Sequence, residues 1–455
     1  MRILWLKSDL LLPLDKGGKL RTWHLLRHLA KHHEVTYLAF AEPETPKAHL
    51  DGMMEVAARV ETVTRSDAPK GSWRFRADAA RHIIDPLPYA VAKYRSGRFR
   101  RRVEQLLRER PFDLIVCDFL FPAVNLPRRL PCPTVIFTHN VESEIWRRHA
   151  ETRTNRAARW LYGLQYRRML RYEEGALRRF SGVLAVSDAD RDTFSRLYPG
   201  AMGRPVYVVP TGVDTDYFRP SPSDPAARDL VFTGSMDWLP NEDAMLFFQR
   251  DVLPLVRREE PRVTLTIVGR APTPAVAKLG QDAGVRVTGR VDDVRPYIRD
   301  AAVYIVPLRI GGGTRLKIFE AMAMGKAVVS TSVGAEGLPI ANGEHVVLAD
   351  RPETFAREIV RLLRDIDERR RLETAACTLV VERYDWSAVA GELEIALLRI
   401  AGLPRGQESA RTARTAHAPA ARLAASAGAD RLTGAREPIA IGSDATVARP
   451  QPTSR

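Results

Sequence analysis

Little cysteine and no long apolar run mark this chain, and each shortage removes a class of protein. Only Cys117, Cys132 and Cys377 occur in 455 residues, too few and too scattered for a disulfide framework or a zinc site. A reducing cytoplasm suits such usage. No run of about 18 apolar residues is present, which argues against a transmembrane helix. The opening MRILWLKSDLLLPLDKGG does not follow a leader pattern. Lys7 and Asp9 interrupt its apolar stretch and no small-residue cleavage site follows, so it reads as a first buried strand. Two common phosphate-binding motifs are also missing, G-x4-G-K-[ST] and G-x-G-x-x-G. Acid falls short of base, 55 Asp and Glu against 70 Lys and Arg, a formal net charge of +15. That excess fits a surface that meets anionic lipid, or a merely arginine-rich composition. Nucleic acid is the weaker reading, because no nucleic-acid motif accompanies the charge.

What is present is a globular pattern with one dense stretch. Hydrophobic residues make up 45% and charged residues 27%, which at this length predicts two to three domains. Residues 303–337 read VYIVPLRIGGGTRLKIFEAMAMGKAVVSTSVGAEG. Val303 to Leu308 has strand composition, Gly311, Gly312 and Gly313 form a loop, and Thr314 stands as an N-cap. A helix from about Arg315 carries Ile318, Phe319 and Met322 at helical spacing. It ends by Gly325, and Ala327 to Ser330 reads as the next strand. This is a βαβ unit with its glycines at a strand's carboxyl end, where open α/β sheets bind ligands. Bare backbone and unpaired helix N–H groups favour an anion there. Arg315 and Lys317 add positive charge, while Glu320 suits the two hydroxyls of a sugar diol. Phosphate beside ribose means a nucleotide. An ordinary turn before a basic surface helix is the plainer alternative.

The segment GGGTRLKIFEAMAMGKAVVSTSVGAEGL resembles the donor site of retaining, nucleotide-sugar-dependent glycosyltransferases of family 4. The match is to a subgroup with GG-x-R-x-K-x-x-E, found with exopolysaccharide or PEP-CTERM-associated sugar transferases. Relatives commonly carry Glu-x7-Glu ending in EAMA; here Glu320 is the second glutamate and Gly312 stands at the first. The resemblance implies an α/β chain of GT-B fold: two Rossmann-like parallel-sheet domains facing a cleft, with a C-terminal helix crossing back to the first domain. It covers about residues 1–402, is strongest at 206–337 and 380–390, and is thin across 42–180. It implies that Gly17 and Gly18, in the turn Lys16-Gly17-Gly18-Lys19, let backbone approach donor diphosphate and acceptor, with Arg21 as an anion contact. His139, which follows the strand Thr134 to Phe137 in the context THNVE, matches a histidine close to donor sugar and acceptor. Gly234 follows the second domain's first strand, and Arg290 opens a segment whose backbone reads the base. Many relatives carry an Arg and then a Lys after that glycine. This chain has Ser235 and Asn241, so Arg315 and Lys317 are expected to supply the charge.

These readings predict an acceptor-side domain over 1–210, a donor domain over 211–380, a crossing helix over 381–402 and a disordered tail over 403–455. The tail is rich in Ala, Arg, Ser, Thr and Pro and lacks periodicity. A basic helical stretch punctuated by the Pro86–Pro88 turn is expected from Trp73 to Arg110, and one amphipathic helix over 353–374. A long helical stretch from Glu144 to Arg179, with Trp146, Trp160, Tyr162, Tyr166 and Tyr172, reads as a face for membrane or acceptor. The expected activity is transfer of a sugar from a nucleotide diphosphate sugar to a hydroxyl of a glycan or lipid-linked acceptor, with retention. It serves polysaccharide or glycolipid synthesis, at the cytoplasmic side of a membrane. The donor is a substrate, and neither metal nor another cofactor is expected. Two rivals stand beside it: a catalytically silent nucleotide-binding subunit, which Gly312 would permit, and a nucleotide-sugar epimerase or hydrolase.

Overall fold

The computed structural model describes residues 1–66, 72–73, 85–152, 155–201, 203–221, 227–310 and 316–404. Two all-parallel sheets organise them. The first holds β1 (Arg2–Lys7), β2 (Glu34–Ala41), β3 (Arg59–Thr64), β4 (Leu114–Asp118), β5 (Thr134–Phe137), β6 (Gly182–Ala185) and β7 (Val206–Val208), in the order β3-β2-β1-β4-β5-β6-β7. The second holds β8 (Asp229–Thr233), β9 (Thr264–Val268), β10 (Val285–Gly289), β11 (Val303–Val306), β12 (Ala327–Ser330) and β13 (Val347–Leu348), in the order β10-β9-β8-β11-β12-β13. Each sheet therefore reverses its winding once, between β1 and β4 and between β8 and β11. A crevice opens at the strands' carboxyl ends at such a point.

The central strands are buried along nearly their whole length because both faces are covered, whereas the outer strands β3, β7 and β10 are partly exposed. In the first sheet Ile3, Trp5, Val116 and Phe137 enter one apolar cluster and Leu4, Leu6, Cys117 and Ile136 enter the other. Continuous apolar runs are what such parallel strands require. One face is covered by α1 (Gly17–Leu29) through Trp23, Leu26 and Leu29. On the other, α2 (Glu142–Thr152) is followed by α3 (Arg156–Leu177), which supplies Met169 and Leu177. The second sheet carries α4 (Leu239–Phe247), α5 (Leu316–Ala323) and α6 (Ile366–Arg383).

The chain passes between the two halves twice. After β7 it runs through Pro210 and Val213 toward β8, and after α6 it returns through Tyr384 to α7 (Trp386–Ala401). Trp386, Val389, Leu393 and Leu397 of α7 belong to the same cluster as Ile3 and Trp23, so the last helix completes the first sheet's core. The two passages are bonded to each other. Val213 N–H donates to the Tyr384 carbonyl at 2.7 Å, Trp386 N–H to the Val213 carbonyl at 3.2 Å, and Thr215 Oγ1 to Asp385 at 2.6 Å.

Two helical stretches expected to be continuous are broken, and the stretch after the Pro86–Pro88 turn restarts, each at a side chain that caps a new start. Ser96 accepts from Phe99 N–H at 3.3 Å and opens Gly97–Glu109. Asn155 accepts from Ala157 and Ala158 N–H and separates α2 from α3. Asp365 accepts from Glu368 N–H at 2.9 Å and divides the region 353–374 between Pro352–Arg364 and α6. A side-chain acceptor one turn ahead of free N–H groups outcompetes the continuing helix. The expected tail from 405 onward lies outside the described residues.

Candidate functional site

At the first reversal, Lys7 ends β1 and Asp118 ends β4, so the two charges meet at the crevice floor. Asp118 is fully buried and takes donors on both oxygens. Its Oδ2 accepts from Lys7 Nζ at 2.8 Å, Thr22 Oγ1 at 2.7 Å and Trp5 Nε1 at 3.0 Å, and Oδ1 meets His139 Nε2 at 2.6 Å. Burial alone would raise this carboxyl, but Lys7 and His139 together hold it far below the ordinary carboxylate range. An ionised carboxylate can only accept, so Nε2 of His139 carries the hydrogen. Burial lowers the His139 pKa to about 4, against the pull of Asp118. Neutral imidazole with Nε2–H then leaves Nδ1 as a bare acceptor.

The surroundings aim that acceptor. Phe119 stacks on the imidazole, ring centroids 3.9 Å apart and planes 7° from parallel. It does so from a left-handed backbone, φ 74°, a conformation that costs an aromatic residue about 1–3 kcal/mol. Gly18, at the start of α1, forms the facing wall: a Cβ there would lie 3.2 Å from the Phe119 ring and 4.0 Å from Nδ1. The segment after His139 is pinned from behind. Buried Glu173 of α3 caps α2 by accepting from Glu142 N–H at 2.9 Å and Ser143 N–H at 3.2 Å, and it also accepts from Tyr198 at 2.6 Å. Burial and this neighbouring acid push Glu142 up to about 8.

At the second reversal β8 ends in Thr233 and Gly234, and α5 brings Lys317 over them. Lys317 Nζ donates to Asn241 Oδ1 at 2.9 Å and lies 4.1 Å from the centroid of the Phe232 ring. Asn241, buried near the start of α4, turns its amide to the Ser235 carbonyl at 2.8 Å. Gly234 lets these side chains approach, since a Cβ would come within 2.6 Å of Asn241 Nδ2 and 2.8 Å of Lys317 Nζ and would displace them. One turn along α5, burial raises Glu320 to about 7, with Lys317 acting in the opposite direction. Phe319 of the same helix stacks on Tyr384 at 4.5 Å, which ties α5 to the returning passage.

His139 and Gly18 thus come together in the first half, and Gly234, Lys317 and Glu320 in the second. Gly17 begins α1 beside Gly18. Arg290 is exposed directly after β10. Gly312, Gly313, Thr314 and Arg315 lie outside the described residues. Arg21 needs correction as an anion contact. It is 1% exposed, its Nη2 donates to the Val209 and Pro210 carbonyls, and its guanidinium lies 4.8 Å from the centroid of the Phe137 ring. Burial lowers its pKa to about 9; through Nη1 and Nη2 the guanidinium holds the first passage against α1, and it is closed off from solvent, with its Nε buried and without a hydrogen-bond partner. Sequence reasoning missed Asp118, Thr22 and Phe119. The available signal was a charged residue closing two apolar strands, Lys7 on β1 and Asp118 on β4.

Residues 16–217 match the family model described as Glycosyltransferase Family 4, and residues 227–365 match that described as Glycosyl transferases group 1. A phosphatidyl-myo-inositol mannosyltransferase of Mycobacterium tuberculosis is 32% identical over 235 residues, which cover 49% of this chain and 60% of the relative. A D-inositol 3-phosphate glycosyltransferase of Segniliparus rotundus is 31% identical over 219 residues, 43% of this chain and 47% of the relative. The matched stretch thus spans less than two thirds of either relative. Among solved structures, Anabaena HepE in complex with UDP superposes with a TM-score of 0.61 at 16% identity, covering 88% of this chain and 100% of that one. The fold is GT-B.

Proposed function

With a family 4 domain and a group 1 domain on one GT-B fold as its premise, we propose that the protein transfers a sugar from a nucleotide diphosphate sugar to an acceptor hydroxyl. The acceptor is a glycan or a lipid-linked sugar, the configuration is retained, and the product enters polysaccharide or glycolipid. One observation carries this reading: a neutral, Asp118-held His139 stands at one reversal, and Lys317 and Glu320 at the other. The relatives' names, a mannosyltransferase and an inositol phosphate glycosyltransferase, support sugar transfer, and the UDP in HepE supports a nucleotide donor.

Each residue then has a task. Breaking the bond between sugar and diphosphate places negative charge on the leaving oxygen. Lys317, aided by Arg315 and the first N–H groups of α5, stabilises that charge where it develops. Glu320, once ionised, accepts from the ribose hydroxyls. His139 Nδ1 accepts from a hydroxyl of sugar or acceptor, and the absence of a Cβ at Gly18 leaves room for it. No metal or further cofactor enters this scheme.

A thermal-shift panel with UDP, GDP, ADP, dTDP and their sugars, on wild type and Glu320→Ala, tests it. One nucleotide should stabilise the wild type and not the variant. Because Glu320 sits at about 7 and binds the diol when ionised, affinity should rise roughly tenfold from about pH 6 to about pH 8. Turnover with the matching sugar, and the anomeric signal of its product, then decide transfer and retention. Stabilisation by none of these nucleotides would reject the donor site.

A further inference from the structure

On the other side of β8 from β11, the turn after β9 carries a cation that has no task so far. The turns after β8 and β9 are locked together: Gly234 N–H donates to the Val268 carbonyl and Met236 N–H to the Arg270 carbonyl, each at 2.9 Å. A Cβ on Gly269 would meet the Gly234 carbonyl oxygen at 1.7 Å, so the two backbones touch. Ala271 beyond it holds a left-handed backbone, φ 51°, which a non-glycine residue keeps only where its surroundings enforce it. Arg270 is thereby set in one place. Its Nε donates to Ser235 Oγ at 2.9 Å, and that hydroxyl gives its own hydrogen to Asp237. The same Ser235 accepts on its carbonyl from Asn241 Nδ2 at 2.8 Å, and Asn241 Oδ1 accepts from Lys317 Nζ at 2.9 Å. Two cations thus hang on one turn, joined by a line of hydrogen bonds across the carboxyl ends of β9 and β8.

We infer that Arg270 is a second diphosphate-binding residue, a planar fork beside the single ammonium of Lys317. The inference rests on the donor reading above and adds to that site a residue which the sequence did not single out. Ser235 and Asn241 anchor the two cations through neutral groups, which take away no charge. Other arginines of this half meet a carboxylate: Arg257 with Asp282, Arg295 with Asp293 and Arg309 with Asp243. Arg270 is exposed and makes no ion pair among the described residues, and its Nη1 and Nη2 make no hydrogen bond there. Asp237 lies one hydroxyl away and is exposed, where water screens it. Held through Nε, the guanidinium keeps both Nη groups for two oxygens of one phosphate, a geometry that an ammonium does not offer. A diphosphate presents two charged groups, and the line from Arg270 to Lys317 presents two cations. A merely solvated arginine would lose side-chain freedom in this anchorage with no ion pair to offset it.

Titration calorimetry on the full chain with UDP, GDP, ADP and dTDP, each beside its nucleoside, tests the inference. For the diphosphate that binds, Arg270→Gln should weaken affinity about tenfold, the effect of one charge-assisted contact. The nucleoside, which offers no charge, should lose no more than about twofold. Diphosphate affinity should also fall less steeply with salt in the variant, because one charge has left the site. Arg270→Lys keeps the charge and loses the fork, so its affinity should lie between wild type and Arg270→Gln. Unliganded, both variants should melt with wild type, since the side chain is on the surface. Unchanged diphosphate affinity in Arg270→Gln would overturn the proposal and leave the donor reading standing. An equal loss for diphosphate and nucleoside would also overturn it, by reducing Arg270 to a shaper of the turn. Binding of none of the four diphosphates by wild type would remove the donor reading and this assignment together.

Discussion

A buried carboxylate that takes four donors is fixed in both charge and orientation, and Asp118 is in that position. Asp118→Asn would leave Lys7 charged and unpaired in the interior. It should lower the unfolding free energy by about 3–5 kcal/mol in urea titrations at neutral pH. The pH dependence has a definite sign. His139 titrates at about 4 in the fold and near 6.5 in an unfolded chain, so between these values the unfolded chain takes up a proton that the fold refuses. Asp118, depressed by its partners, acts in the same sense at still lower pH. Glu142 and Glu320, both raised in the fold, act in the opposite sense over the same range, so the His139 contribution is read as a difference: the stability advantage of wild type over His139→Gln should shrink by about 3 kcal/mol as pH falls from about 6.5 to about 4. A difference between wild type and His139→Gln that stays constant over this window would contradict the buried neutral imidazole. His139 was legible from its place at a strand end. Asp118 and Lys7 are 111 residues apart, and their pairing follows only from β1 lying beside β4. Lys7 in the sequence looks like a break in an apolar run, while in the fold it is the counter-charge of the site.

The elements were legible in kind, less so in their limits. Continuous apolar runs identified β1, β4, β5, β11 and β12, because strands covered on both faces need no polar alternation. Helix breaks were missed at Asn155 and Asp365, since a capping acceptor amid helix-forming neighbours does not disturb the apolar period. The last helix shows what an element contributes beyond its own length. α7 is the final segment described in the chain, yet Leu393 is fully buried among residues of the first sheet's core. Leu393→Ala should destabilise by about 2–5 kcal/mol. The first half should be the part that loosens, with hydrogen exchange rising in β1 and α1 before β8 and β11. Loosening confined to the second half would show that α7 does not belong to this core.

On the scale of the whole molecule, the architecture was legible because each half repeats one pattern, strands alternating with helices. The bracing between halves was not, for it depends on backbone pairing between Val213 and Asp385 and on Arg21 gripping the Val209 and Pro210 carbonyls. These contacts make the junction two chains thick. A graft made at one junction should fail: replacing everything after residue 228 with a relative's sequence also replaces α7, and with it part of the first core. Replacing 229–383 alone, and keeping 384–401 with its own first half, should give a folded chimera with a single cooperative melt. Equal folding of both grafts would show that the second passage carries no such dependence.

The doubled junction also bears on how such a chain can change its chemistry over generations. Because the stretch from β8 to the end of α6 is held at both ends, it is an inserted cassette and not an appended one. That cassette can be exchanged by recombination only through two crossovers, at the two ends of the same short bridge. Single crossovers would be purged as misfolded. Diversity should therefore accumulate inside the cassette by point substitution, with Tyr384 and Val213 lagging behind.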